Sequence, residues 1–316
     1  MALVQDKPLR VAVVGRTGML LGAARQVLSL GCELPLVITA RAAAHDLISE
    51  ADYRKLADEA GARFIAGTNI SNVKNAVVEA NCDVAISMNW PHIIPQGVRS
   101  QFRYGIFNAH PGDLPRFKGN ACPNWAILLG ENQIVLTIHQ MVEQLDAGPI
   151  ALKQTLPLSD DVSIEDVYRW LHVAVPNGFS DLVKRIVTNT LQLTPQPLDR
   201  SQALRCYPRR PEDGRINWNA NGIDITRLVR ASGRPFDGAF TMLKGERRLT
   251  VWSAYEVQSD EPFLAVPGQV VGSRDGNPII AARKSFIALS DFSLEGCEDK
   301  GAAKIQILSS LRNRLV

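Results

Sequence analysis

Asn108 and His110 stand two residues apart in the segment FNAHPGDLPRFKGNACPNW. In an extended chain, side chains at i and i+2 point to the same face, so an amide and an imidazole can face one cleft. The apolar run before them reads as a strand, and a loop with two prolines and two glycines follows. That is where α/β sheets place chemistry, at the carboxyl edge of their strands. Thirty-six residues after His110, the segment EQLDAGPI sets Asp146 beside an Ala-Gly pair that lets a ligand approach the backbone. An acid in such a turn reads either as a turn former or as a third reactive group. An amide N–H and an imidazole N–H can meet negative charge developing on a carbonyl oxygen. A carboxylate beside them can favour the imidazolium and accept the proton lost by an attacking amine. This chemistry requires neither a metal nor a covalent nucleophile.

Other chemistry-bearing residues are less organised. His45, His92, His139 and His172 have no partner motif, so surface or core roles are the default for them. The five cysteines are scattered, with no C-x-x-C pair to suggest zinc or redox work, and reduced thiols in the cytoplasm fit best. Gly15, Gly18 and Gly22 follow the first apolar run, but their spacing is not G-x-G-x-x-G and no acid ends the second strand. A tight strand-to-helix turn is the preferred reading over dinucleotide binding.

The elements that position these residues form two groups. Val11–Gly15, Leu36–Thr39, Asp83–Met88, Gly105–Asn108 and Ile134–Met141 read as strands. Between them, helices are expected over Gly18–Leu30, Ser49–Ala60, from Pro123 to Leu129, and from Ile164 to about Thr190. This alternation predicts an α/β domain with a mostly parallel sheet. A Gln-, Pro- and Ser-rich linker over Leu193–Gln202 breaks the pattern, so the chain divides near residue 200. Beyond it, short strands are expected at Arg215–Trp218, Arg248–Tyr255, Gly268–Val271, Ile279–Ala282 and Ile287–Leu294, with one helix around Ile223–Arg230. A small barrel or half-barrel is the predicted result.

Composition excludes several classes. The chain has 316 residues, 46% hydrophobic and 21% charged, and no apolar run approaches the ~18 residues of a membrane span. Its net charge of +3 shows no commitment to nucleic acid or anionic membranes. Residues 1–200 carry 18 basic and 19 acidic side chains, leaving 17 and 13 for residues 201–316, so the basic surplus lies in the C-terminal part. The opening MALVQDKPLRVAVVG lacks a signal-peptide apolar region, which again favours a cytoplasmic location.

Asn108-x-His110-x-x-x-Leu114-Pro115-x-Phe117-Lys118-Gly119 and Leu145-Asp146-Ala147-Gly148 together resemble the 10-formyltetrahydrofolate-dependent formyltransferases. The family motif runs N-x-H-x-S-L-L-P-x-[YFW]-R-G and then L-D-[TA]-G. The resemblance extends through PNWAILLGE and TIHQMVEQLDAGPI to CYPRRPEDGRINWN and VRASGRPFDGAF, covering residues from about 80 to 255. It implies a Rossmann-like catalytic domain over residues 1–200 and a smaller OB-like β domain over 201–316. It further implies a catalytic triad of Asn108, His110 and Asp146, and 10-formyltetrahydrofolate as cosubstrate without a metal. Met88, Asn89, Trp90 and Ile93 match the loop that holds the folate pterin, with Leu145 on the opposite wall. Trp90 alone also reads as a plug of the cleft edge. Gly112-Asp113 replaces the family Ser-Leu, adding a carboxylate near the site, and Lys118 replaces an arginine and so loses a bidentate contact.

Three acceptors compete: a nucleotide-linked amino sugar, initiator methionyl-tRNA, and water. The stretch TARAAAHDLISEADYRKL contains acidic residues and no basic run, where tRNA formyltransferases carry a basic insertion. Counterion release there would contribute little. CYPRRPEDGRINW, NW at Asn124-Trp125 and VWSAYEV look most like the formyltransferase acting on UDP-4-amino-4-deoxyarabinose. Lys118, Asn124, Arg209 and Arg210 are therefore the expected acceptor contacts, although Arg209 and Arg210 read equally as a solvated pair. The nucleotide amino sugar is the favoured acceptor, with tRNA and hydrolysis as the alternatives. No membrane partner is expected, and the subunit number is open, a homodimer included.

Overall fold

The computed structural model describes residues 7–42, 48–68, 70–197, 199–244, 246–259 and 261–316. His45 and the first six residues, on which the reading of the N-terminus rests, lie outside these. The chain forms two compact units. One comprises residues through Cys122 together with Gln133–Pro157 and Tyr168–Tyr207; the other comprises Pro123–Asn132, Leu158–Val167 and Pro208–Val316.

The elements in chain order begin with β1 (Arg10–Gly15), α1 (Gly18–Ser29), β2 (Glu33–Thr39), α2 (Glu50–Ala60), β3 (Arg63–Ala66), α3 (Ile70–Ala80) and β4 (Val84–Met88). They continue with α4 (Gln96–Arg99), β5 (Ile106–His110), β6 (Phe117–Gly119), α5 (Cys122–Leu129), β7 (Gln133–Gln140), β8 (Ile150–Pro157) and α6 (Ile164–Val187). The seven-stranded sheet of the first unit has the order β3-β2-β1-β4-β5-β7-β8. Strands β3 to β5 are parallel, and β7 and β8 are antiparallel. Val11–Val14 of β1 are almost completely buried, as a central parallel strand covered on both faces must be.

Gly15 explains the first turn. Its backbone lies so close to Met88 that a Cβ would overlap the Met88 carbonyl oxygen. That oxygen also accepts a 3.0 Å bond from the Arg16 amide. Thr17 then caps α1 with its side-chain oxygen. Gly15 thus serves a tight strand-to-helix turn, while Gly18 and Gly22 lie in α1.

The second unit is built on an antiparallel sheet. After β9 (Leu204–Cys206), which pairs with β6 in the first unit, come α7 (Gly222–Ser232), β10 (Ala239–Leu243), β11 (Arg247–Val257), β12 (Val270–Arg274), β13 (Asn277–Ala281), β14 (Phe286–Leu294) and α8 (Lys300–Leu308). The sheet order is β10-β11-β14-β13-β12. The last residues join its two ends: Val316 exchanges backbone bonds with Met242 at 2.8 and 2.9 Å, and Leu315 donates to Gly268 at 2.8 Å. Trp218, Val251, Ile280, Leu289 and Ile307 belong to the buried core of this half-barrel.

Arg215–Trp218 is a correction to the expected strands. Only Arg215 forms an isolated bridge, to Phe240, and a turn begins at Trp218. Trp218 is fixed instead by its indole N–H, which donates 3.0 Å to Thr241 Oγ1 in the core. Among the described residues no helix is long and apolar enough to cross a membrane.

Candidate active site

Strand β5 carries Asn108 and His110 on one face at the carboxyl edge of the parallel strands. Its register sets Asn108 opposite His139 of β7 and His110 opposite Thr137. Thr137 Oγ1 donates 2.7 Å to the Gly112 carbonyl, fixing the turn that follows His110. His110, His139 and Asp146 are all buried.

One carboxylate lies between two imidazoles. Asp146 Oδ2 is 3.7 Å from His110 Nδ1, and Asp146 Oδ1 is 3.6 Å from His139 Nε2. Oδ2 also accepts a 2.8 Å bond from the Gly119 amide. The structure therefore brings Asn108, His110 and Asp146 together, and it adds His139, for which only a surface or core role is read from sequence. The available signal was alternation: Thr137 and His139 are polar residues two apart within the otherwise apolar run IVLTIH.

The two histidines make different hydrogen bonds. His139 Nδ1 lies 3.1 Å from the Gln140 carbonyl, so this nitrogen carries the proton and donates. Its Nε2 then accepts from Asn108 Nδ2 at 3.4 Å. Burial, reinforced by the nearby His110, pushes the His139 imidazole down to about 4, against the opposing pull of Asp146. The charge of the half-buried Lys118 acts in the same direction. His139 is accordingly neutral at pH 7.

His110 Nε2 donates 2.5 Å to the Phe117 carbonyl. Gly112 makes this approach possible, because a Cβ there would crowd both that carbonyl and the His110 ring. Cys122 Sγ donates to the same carbonyl at 3.4 Å and lies 3.7 Å from His110 Nε2. This is not an activated nucleophile and base: burial pushes the Cys122 thiol up, away from the thiolate. Among the described residues no cluster of three His, Cys, Asp or Glu side chains could hold a metal.

The expected folate-loop residues have differing environments. Met88 is buried, and its sulfur accepts from Thr17 Oγ1 at 3.7 Å. Asn89 is exposed with a left-handed φ of 54°. Trp90 packs half-buried against the core cluster of β1, β2 and β4, with its buried indole Nε1 lacking an acceptor. Ile93 and Leu145 are large exposed apolar side chains.

Among the expected acceptor contacts, Asn124 and Arg209 are engaged inside the second unit. Asn124 Nδ2 donates 2.8 Å to the Ala231 carbonyl, and Arg209 donates to that carbonyl at 3.4 Å, to Asp213 O at 2.9 Å and to Ser232 Oγ at 3.3 Å. These bonds tie the end of α7. Arg210 is exposed. Asp113 is neutralised by Lys153 at 2.6 Å, so the carboxylate that replaces the usual apolar residue is not a free charge near His110.

A formyl transferase family model matches residues 37–183, and the model of the formyl transferase C-terminal domain matches residues 209–305. The fold is similar to solved structures at low identity. HypX from Aquifex aeolicus in complex with tetrahydrofolic acid matches with a TM-score of 0.61 and 18% identity over 90% of this chain. The chain spans 44% of that HypX chain. WlaRD, a sugar 3N-formyl transferase solved in the presence of dTDP and 5-N-formyl-THF, matches with a TM-score of 0.63 and 15% identity over 92% of this chain and 100% of its own. An N-formyltransferase from Helicobacter canadensis, complexed with folinic acid and dTDP-3-aminofucose, gives 0.63 and 16% over 89% and 99%. With both domain models matched in order across most of its length, the chain belongs to the formyl transferase family and is an enzyme of that family.

Proposed function

We propose that this enzyme transfers the formyl group of 10-formyltetrahydrofolate to the amine of a nucleotide-linked amino sugar. The observation that carries the reading is the convergence of Asn108, His110 and Asp146 at the edge of β5 in a chain of this family. The folate and dTDP ligands of WlaRD and of the Helicobacter canadensis N-formyltransferase support folate as donor and a nucleotide sugar as acceptor. The absence of a basic run in the stretch after β2 disfavours tRNA.

In this reading the acceptor amine attacks the formyl carbon, and the carbonyl oxygen becomes an oxyanion. One Asn108 N–H is turned toward His139, so its other N–H is available to the oxyanion. His110 contributes a second donor by exchanging the Phe117 carbonyl for the oxyanion. Asp146 stabilises the His110 imidazolium and takes the proton released by the attacking nitrogen, directly or through water. Collapse of the intermediate breaks the bond to the folate nitrogen, which leaves with the proton that Asp146 took from the attacking amine. The exposed side chains of Ile93 and Leu145 and the half-buried ring of Trp90 are apolar groups suited to a flat heterocycle.

The test is steady-state formyl transfer by Asn108→Ala, His110→Ala and Asp146→Asn. Each should lose at least ~10²-fold in turnover with folate affinity nearly unchanged. Near-normal turnover of any one removes that residue from the mechanism.

A further inference from the structure

We propose that Gln196 is a positioning residue for Asp146 and that the segment around it is a strap holding the Asp146 loop. The proposal rests on the reading of Asp146 as part of the reacting centre.

Asp146 sits on an exposed excursion between β7 and β8. Val142, Glu143, Gln144 and Leu145 are all exposed, and Asp146 alone among residues 142–146 is buried. Its φ of 48° is left-handed, a conformation uncommon for residues with a Cβ, and a loop holding it gains from local constraint. Gln196, fifty residues later in the chain, supplies that constraint. Its Nε2 donates 2.9 Å to the Asp146 carbonyl and 2.7 Å to the Gly148 carbonyl. Two residues earlier, Thr194 exchanges a pair of 2.8 Å backbone bonds with Ile150, the first residue of β8. The Pro-rich segment therefore runs alongside the loop and clips it at both Asp146 and Ile150.

The orientation of the Gln196 amide is determined by these partners. Turning it over would set its oxygen against two carbonyl oxygens. In the observed orientation both Nε2 hydrogens are used, and Oε1 is buried without a hydrogen-bond partner. Leaving a buried acceptor unpaired is unfavourable, and here it accompanies the fixation of one aspartate. A carboxylate held at one end by the Gly119 amide and at its backbone by Gln196 has little freedom to drift from His110. Displacement of such a group by about 1 Å can cost about 10²-fold in rate.

The experiment compares wild type with Gln196→Ala, Gln196→Glu and Gln196→Lys. Transfer is assayed with 10-formyltetrahydrofolate and the nucleotide amino sugar that wild type turns over. Ring-nitrogen NMR spectra of His110 and melting temperatures are recorded on the same proteins. Ala removes the donors, and Glu keeps the size but opposes both carbonyls. Each should lower kcat at least ~10-fold with the folate KM within ~2-fold, and each should shift the His110 ring resonances. Lys restores a donor and should recover both signals. A Glu variant matching wild type in kcat and in His110 resonances would overturn the proposal. So would a set in which kcat follows melting temperature and not donor capacity. If wild type transfers no formyl group, the proposed function fails, while the His110 spectra still decide whether the strap exists.

Discussion

Asn108 Nδ2 lies 3.4 Å from His139 Nε2, and that nitrogen has no proton because the Gln140 carbonyl holds the hydrogen on the other side of the ring. A neutral histidine thus fixes which way a reactive amide faces. It also leaves the single carboxylate of the cluster to the other imidazole. Asp146 is nearly equidistant from the two rings, at 3.7 and 3.6 Å, and both rings are buried, so what distinguishes them is their hydrogen-bond partners and not distance.

Removing this orientation should affect the chemical step. His139→Leu leaves the Asn108 amide without its acceptor and should lower kcat about 10²-fold with little change in the folate KM. His139→Gln keeps an acceptor oxygen and should retain more activity. Equal kcat in both variants and wild type would show that the amide needs no such partner.

The same residue should make folding sensitive to acid. His139 is held at about 4 in the folded protein against an ordinary 6.5, so the unfolded chain binds more protons between these values. Stability from this group is complete above pH 6.5 and is lost as pH falls toward 4, by about 3 kcal/mol at pH 4. Urea denaturation of wild type and His139→Gln at pH 7 and pH 4 measures it. Wild type should lose about 3 kcal/mol more than the variant across that interval, and parallel losses would contradict the assignment.

Gly112 stands where related motifs carry serine, and its lack of a Cβ permits the His110 to Phe117 bond. Gly112→Ala should destabilise the protein by about 1–3 kcal/mol through overpacking. It should also displace the His110 ring, lowering turnover more than folate binding. A fully stable and active Ala variant would mean that the turn relaxes without disturbing the ring.

Trp90→Ala tests the folate wall. If the indole contacts the folate heterocycle equally in ground and transition states, the folate KM rises while kcat is nearly unchanged. An unchanged KM would assign Trp90 to packing against the core cluster alone.

Much of this arrangement was legible in the sequence, and the gaps have physical causes. Asn108 and His110 stood out because local chain geometry relates them, whereas the turn around Asp146 was ambiguous and only the family resemblance joined it to them. Helix α3 carried the signal Val73, Ala76, Val77 and Ala80, all buried at helical spacing, yet its polar content hid it. Strands β3, β8 and β10 are short or alternate in burial, and an alternating strand is weaker to the eye than the continuous apolar runs of β1 and β4. His139 and Gln196 could not be placed, because their roles depend on strand register and on a strap fifty residues from Asp146. Asn124 and Arg209 were expected as acceptor contacts from a family resemblance, and sequence alone could not show that both donate to the Ala231 carbonyl.

The central claim is formyl transfer to a nucleotide-linked amino sugar, and product mass tests it most directly. Wild-type enzyme is incubated with 10-formyltetrahydrofolate and a panel of nucleotide amino sugars, with charged initiator tRNA in parallel. At least one nucleotide amino sugar should yield a product one formyl group heavier, absent with His110→Ala, with no comparable formylation of the tRNA. Formylated tRNA formed at the rate of dedicated enzymes, with every amino sugar unchanged, would contradict the claim.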